Sequence, residues 1–184
     1  GKTKTMLETK NILILVESAS RNSANQKLID NLAKLMQVNF HFVTYSDLKS
    51  LPHFDPELSS NNPPEQIIEL RSKIEKADGI IICTPEYIFS IPSGLKNVIE
   101  WCIATTVFSD KPTGLITASA SGEKAHEELQ LIMKTAMAKL STETTLLIKG
   151  VKGKIDEQGH LVDKNTADDL EKFANAFCTL VNIG

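Results

Sequence analysis

The strongest constraint on this fold is a set of apolar runs of strand length with almost no polar alternation. They are "NILILV" (residues 11–16), "GIIICT" (79–84), "TGLITAS" (113–119) and "TTLLIKGV" (144–151). A strand with one wet face alternates polar and apolar residues, so runs like these belong to a sheet covered on both faces. They are too short to cross a bilayer. A further strand is expected at "FHFVTY" (40–45), from its β-branched and aromatic content.

Helical periodicity fills the intervals. Leu28, Ile29, Leu32, Leu35 and Met36 share one helical face, and Ile67, Leu70 and Ile74 another. Leu95, Val98, Ile99, Cys102 and Ile103 form a third stripe, and Ala125, Leu129, Ile132, Met133, Ala136 and Leu140 a fourth. Leu170, Phe173, Ala174, Phe177, Leu180 and Val181 form the last, on a helix expected to open with a Thr166-x-x-Asp169 capping box. Residues 46–64, rich in Pro, Ser, Asn and Asp, read as a long loop, and 154–161 as a turn around Gly159.

Five β-α units in 184 residues, with no internal repeat or linker, predict one doubly wound α/β domain over residues 11–184. Right-handed crossovers leave two common strand orders, flavodoxin-like 2-1-3-4-5 or Rossmann-type. Residues 1–10 read as a leader outside the domain, because "GKTKT" has neither the upstream strand nor the spacing of a phosphate-cradling P-loop.

A formal net charge of −3 with no Lys/Arg stripe argues against a nucleic-acid groove. The three cysteines, Cys83, Cys102 and Cys178, are too scattered for a disulfide framework or zinc site, which suits a reducing, cytoplasmic setting without membrane attachment. The four histidines show no metal spacing. His126 is expected to be an exposed first-turn helix residue, and Cys83 a buried, inert thiol.

In either strand order, ligands bind at the carboxyl ends of the strands. Three loops lie there: "ESASRNSAN" (17–25), "TPEYIFSIPSG" (84–94) and "SASGEKA" (119–125). The first combines hydroxyls, Arg21 and Asn25 with a helix start, the makings of a phosphate cradle. Ser23-x-x-Gln26 is equally a capping box, and the two roles are compatible. No GxGxxG is present, nor an acidic residue closing a second strand, so a resident NAD is disfavoured. Tyr87, Ile88 and Phe89 suit the wall of a flat aromatic ligand; alternatively, Phe89 and Ile91 fill a subunit interface or fold back on the core. Ser119, Ser121 and Gly122 allow close backbone approach.

The stretch Thr84-Pro85-Glu86-Tyr87…Ser90-Ile91-Pro92…Leu95-Lys96-Asn97…Trp101 resembles the T-P-E-Y-N-x-S-x-P-x-x-L-K-N-x-x-x-W pattern of the NADPH-dependent FMN reductase family. "SDLKSLPHFDPEL" (46–58) and "TASASGEKA" (117–125) are similar to that family too. The resemblance runs from residue 11 to the final helix. It implies a flavodoxin-like five-stranded parallel sheet of order 2-1-3-4-5, with helices on both faces. It also implies an FMN-dependent oxidoreductase that passes hydride from NADPH or NADH to a small-molecule electron acceptor: a quinone, azo dye, metal ion or free flavin. An FMN-binding electron carrier without NAD(P)H turnover is the alternative, and a domain that keeps the fold without flavin is a third reading.

By position the resemblance implies Ser18, Ser20, Arg21, Ser23 and Asn25 for the FMN phosphate. Pro85, Glu86, Tyr87 and Ile88 would face the flavin, largely through backbone, and Ser119, Ser121 and Gly122 would close the third side. No side chain is expected to act as acid or base. The family's usual G-S-x-R-x-x-S-x-N is altered: Glu17 stands at the glycine, Ser20 at the arginine, and Arg21 comes one residue late. Ile88 replaces a common Asn. Glu17 is expected to point away from the phosphate, since two anions repel. A homodimer or dimer of dimers is implied, with the third helix and Trp101 as candidate contact surface, unless Trp101 only packs the domain core.

Overall fold

A computed structural model describes residues 9–18 and 23–183. Five strands, β1 (Lys10–Val16), β2 (Phe40–Tyr45), β3 (Gly79–Thr84), β4 (Thr113–Ser119) and β5 (Thr145–Lys149), form one sheet in the order β2-β1-β3-β4-β5. Every pairing is parallel. This is the flavodoxin-like order, and it leaves the carboxyl ends of β1 and β3 adjacent at the centre of one edge.

Alternation along the strands sends side chains to two separate cores. On one face, Leu13, Leu15, Ile80, Ile82 and Leu115 meet α3 (Glu65–Lys76), α4 (Ser93–Ile103) and α5 (Glu123–Thr135). On the other, Ile12, Ile14, Val16, Ile81, Cys83 and Ile116 meet α1 (Ala24–Met36) and α6 (Lys164–Ile183). With both faces covered, β3 is buried at every position, which is why its sequence carries no polar alternation. Gly114 is required by this packing: a Cβ there would stand 2.6 Å from Phe173 Cζ.

Several expectations are corrected. The 46–64 stretch holds a 3₁₀ turn (Leu48–Ser50) and a short helix, α2 (Pro56–Asn61), which Asp55 caps by accepting from the N–H groups of Glu57 and Leu58. Leu140 lies beyond α5, which ends at Thr135. The cap of α6 is Asp163, whose carboxylate accepts from the Thr166 N–H (3.0 Å) and hydroxyl (2.5 Å), so the Thr166/Asp169 box does not form the helix start.

Trp101 is 0% exposed and cannot be a subunit contact. Its ring meets Phe54 edge-on, its Nε1–H donates to Pro52 O at 2.8 Å, and Arg71 donates to its carbonyl. The indole clamps the 52–54 strap to the domain. Among the described residues, no helix is long and apolar enough to cross a membrane, and no cluster of His, Cys, Asp and Glu could hold a metal.

Candidate functional site

Two cavities open at the carboxyl end of the sheet, one on each side of the loop after β3. The larger, about 640 Å³, is lined by Ser18, Ser23 and Asn25 from the first loop, Pro85 and Tyr87 from the second, and Ser119 from the third. Its size falls within the range of small-molecule sites. The smaller, about 440 Å³, lies between Glu17, the 48–53 segment and the start of α4. Tyr87 lines both.

The first loop enters α1 through Ser23, whose Oγ accepts from the Gln26 N–H at 3.2 Å. Gln26 turns instead to Asp30, so only half of the expected capping box forms. Asn25 is buried, and its amide is committed to the sheet: Nδ2 donates to Ala118 O at 3.1 Å, and Oδ1 accepts from the Cys83 thiol at 3.1 Å. Asn25 therefore stitches β3, β4 and α1 together beneath the cavity rather than offering its amide to a ligand. Burial pushes the Cys83 thiol far above its ordinary range, so it is inert at neutral pH. Ser20 and Arg21 lie outside the described residues.

The second loop is a two-residue hairpin turn. Tyr87 and Ser90 exchange backbone hydrogen bonds at 2.9 and 3.1 Å, and Ile88 (φ 49°) and Phe89 (φ 59°) are both left-handed. Asn-Gly is the usual content of such a turn, and a β-branched residue there is strained. Ile88 is 93% exposed and Phe89 75%; neither lines either cavity.

Glu86 points away from the larger cavity. Its carboxylate accepts from the Gly122 N–H (3.1 Å) and the Ala125 N–H (2.9 Å). Helix α5 has no side-chain cap of its own, because Gly122 (φ 90°) occupies that position. Glu86 thus caps a helix from a neighbouring loop, joining the second and third loops. Glu128 on α5 answers it, accepting from the Ser90 hydroxyl (2.9 Å) and the Ile91 N–H (3.1 Å).

In the third loop Ser119 and Ala120 line the cavity; Ser121 is exposed, and Gly122 sits beneath Leu147 and Thr117. His126 is 9% exposed rather than an open surface residue, and its Nδ1 lies 2.7 Å from the Thr117 hydroxyl. Burial holds its pKa below the ordinary histidine value. The first turn of α5 lies over β4 here, which a helical wheel alone does not reveal.

A fourth loop was missed. Gly150, Val151, Lys152 and Gly153, after β5, complete the wall of the larger cavity. The sequence carried a signal: "KGVKGK" (149–154) places two glycines and three lysines at the carboxyl end of an expected strand. Gly150 takes φ 59°, and its side of the cavity is open.

A family model described as NADPH-dependent FMN reductase matches residues 10–150. The chain belongs to this family. Among curated relatives, it is 29% identical to the NADH:(hydroxy)cinnamate reductase subunit CrdA of Vibrio ruber, over 91% of this chain and 85% of that one. It is 29% identical to a 2-hydroxy-1,4-benzoquinone reductase of a Burkholderia species, over 92% and 95% respectively. Among solved structures, the fold matches the flavoenzyme NAD(P)H:(acceptor) oxidoreductase FerB of Paracoccus denitrificans, with TM-score 0.77 and 24% identity, over 95% of this chain and 98% of that one.

The larger cavity fits the family's FMN. Hydroxyls and the first turn of a 13-residue helix stand beside it, suited to a phosphate, and the Pro85, Tyr87 and Ala118 surfaces provide an apolar wall for a flat ring. Glu17 lines the other cavity, so its carboxylate does not oppose the phosphate end.

Proposed function

We propose that this protein is an NAD(P)H-dependent FMN oxidoreductase that delivers reducing equivalents to a small carbonyl-type acceptor of the quinone class. The reading rests on family membership over residues 10–150 together with a cavity ringed by the loops after β1, β3, β4 and β5. FMN, when bound, supplies the hydride-relay chemistry. Ser18, Ser23 and the first-turn N–H groups of α1 would hold its phosphate, with Ser20 and Arg21 contributing from the same loop. Pro85, Tyr87 and Ser119 would border the ring. Glu86 acts at one remove, holding the second loop against the third. Ser121, Gly122 and Ile88 would contribute through backbone or loop shape rather than as cavity walls.

The acceptor class is supported by relatives named for quinone reduction, in Burkholderia and Escherichia coli. Names citing NADH and NADPH both occur among the relatives, so either nucleotide is a candidate donor. A cytoplasmic homodimer or dimer of dimers belongs to the same reading. The exposed Ile88 and Phe89 support an interface, and α4 would contribute only its outer face, where Ile103 is exposed.

The test is a visible spectrum after FMN addition and desalting, followed by anaerobic NADPH or NADH. Retained flavin that bleaches on nucleotide addition is the expected result. Flavin that stays bound and oxidised with both nucleotides would identify an electron carrier instead. No retained flavin, with no binding on titration, would overturn the reading.

A further inference from the structure

The smaller cavity contains a group that the reaction above does not use. Glu17 ends β1, is 4% exposed, and lines that cavity. No ion pair among the described residues includes it. Its surroundings supply burial, with the charge of Lys49 opposing, and no hydrogen bond to its carboxylate comes from the described residues. A carboxyl largely withdrawn from water at a cavity wall has its acid form favoured, which is how proton-transferring groups are tuned.

The rest of the cavity is rich in donors. Helix α4 begins at its wall with Pro92 as the cap residue, which offers no side-chain cap. The N–H groups of Ser93, Gly94 and Leu95 are therefore first-turn donors without helical partners. Lys49 and His53 also line the cavity, and Glu100 on α4 is the remaining charged group. The wall is rigid. Asn97 donates to Pro52 O (2.9 Å) and accepts from the Phe54 N–H (2.8 Å), while Trp101 also donates to Pro52 O. Gly94 leaves room for the carboxylate, since a Cβ there would lie 2.9 and 3.0 Å from its two oxygens.

We propose that the smaller cavity seats a carbonyl oxygen of the acceptor and that Glu17, in its acid form, donates the proton which that oxygen takes up on reduction. This rests on the functional reading above and names the acid for the same reaction. The overall change is NAD(P)H plus H⁺ plus quinone giving NAD(P)⁺ plus hydroquinone. The reduced cofactor supplies a hydride equivalent, two electrons and one proton. At the second oxygen the Glu17 O–H bond breaks and a new O–H bond forms. The carboxylate is then reprotonated by water through the cavity mouth. Tyr87 lines both cavities, so the seat for this oxygen adjoins the cofactor site. Burial raises the Glu17 pKa, with Lys49 opposing, so the acid form persists to higher pH than for a free glutamate.

The test uses FMN-loaded protein with saturating NADPH and two acceptors: a soluble benzoquinone, which takes up protons, and ferricyanide, which takes only electrons. In Glu17→Gln the ratio of quinone to ferricyanide kcat/KM is expected to fall about 10²-fold, the usual scale of general-acid catalysis. The decline of quinone kcat/KM with rising pH should vanish in the same variant. Gly94→Ala, which displaces the carboxylate but keeps it, should lower the ratio in the same direction. A binding readout is independent of turnover. The protonated carboxyl band that Glu17→Gln removes from the infrared spectrum should shift when acetophenone is added.

An unchanged ratio in both variants of a yellow, NADPH-oxidising protein would overturn the subsite alone, as would an unshifted carboxyl band. A protein that binds no FMN and oxidises no nucleotide with either acceptor would overturn the functional reading, and this proposal with it.

Discussion

The base and the tip of the loop after β3 are built on opposite principles. At the base, two carboxylates from different elements satisfy four polar groups: Glu86 takes the Gly122 and Ala125 N–H groups, and Glu128 takes the Ser90 hydroxyl and the Ile91 N–H. At the tip, Ile88 and Phe89 are exposed, apolar and left-handed. A strained turn persists only where its surroundings over-determine it. Here the over-determination is visible, and it comes from the base. The loop can therefore present Tyr87 between two cavities without being supported from outside.

Breaking the base should have the largest effect. Glu86→Ala leaves two helix N–H groups without their charged acceptor and is expected to cost about 3 kcal/mol. Urea denaturation should show this, and FMN fluorescence titration should show weaker binding although the side chain lines no cavity. Full retention of affinity would mean that loop position does not govern the site. Glu128→Ala should cost less, about 2 kcal/mol, because a neutral hydroxyl is one of its two donors. The double variant should lose less than the sum, since both bonds hold one loop.

Relaxing the tip sharpens the contrast in the opposite direction. Ile88→Asn puts a residue tolerant of left-handed backbone at φ 49° and should stabilise the protein by about 1 kcal/mol, read as a small rise in Tm. A fall would show that the Ile88 side chain makes a stabilising contact, as in an oligomer.

The smallest effect concerns His126, in the first turn of the helix that both carboxylates grip. Its folded pKa is depressed, so the folded state binds fewer protons than the unfolded one as pH falls. Its contribution is fully present above the unfolded value near about 6.5 and is lost as pH drops through the lower folded value. Tm measured down an acid series should fall in that window, and His126→Gln should flatten that part of the curve. An unchanged curve would assign the acid loss to other groups.

Much of the fold was legible because burial on both faces leaves a direct mark. Runs such as "GIIICT" allow few alternatives, and the helical stripes between them required crossovers. The loops carrying the larger cavity were located by the same logic, from strand ends. Side-chain assignments fared differently. Pro85, Tyr87, Ser18, Ser23 and Ser119 line the cavity. Glu86 and Asn25, placed in the site by motif position, use their side chains on a helix cap and on the sheet. Lys152 and its flanking glycines were overlooked because their loop follows an edge strand with a weaker signal than the central runs.

The sequence by itself determined the layers, the strand count and the end of the sheet where ligands bind, because periodicity and apolar content are local properties of the chain. Tertiary structure decided what each polar group faces. The Glu86 carboxylate meets N–H groups 36 and 39 residues away. His126 meets a hydroxyl on the strand beneath it, and Glu17 turns to a second cavity at the start of α4. A polar side chain is satisfied by whichever partner the fold brings within about 3 Å, and that distance is set across the sheet rather than along the chain.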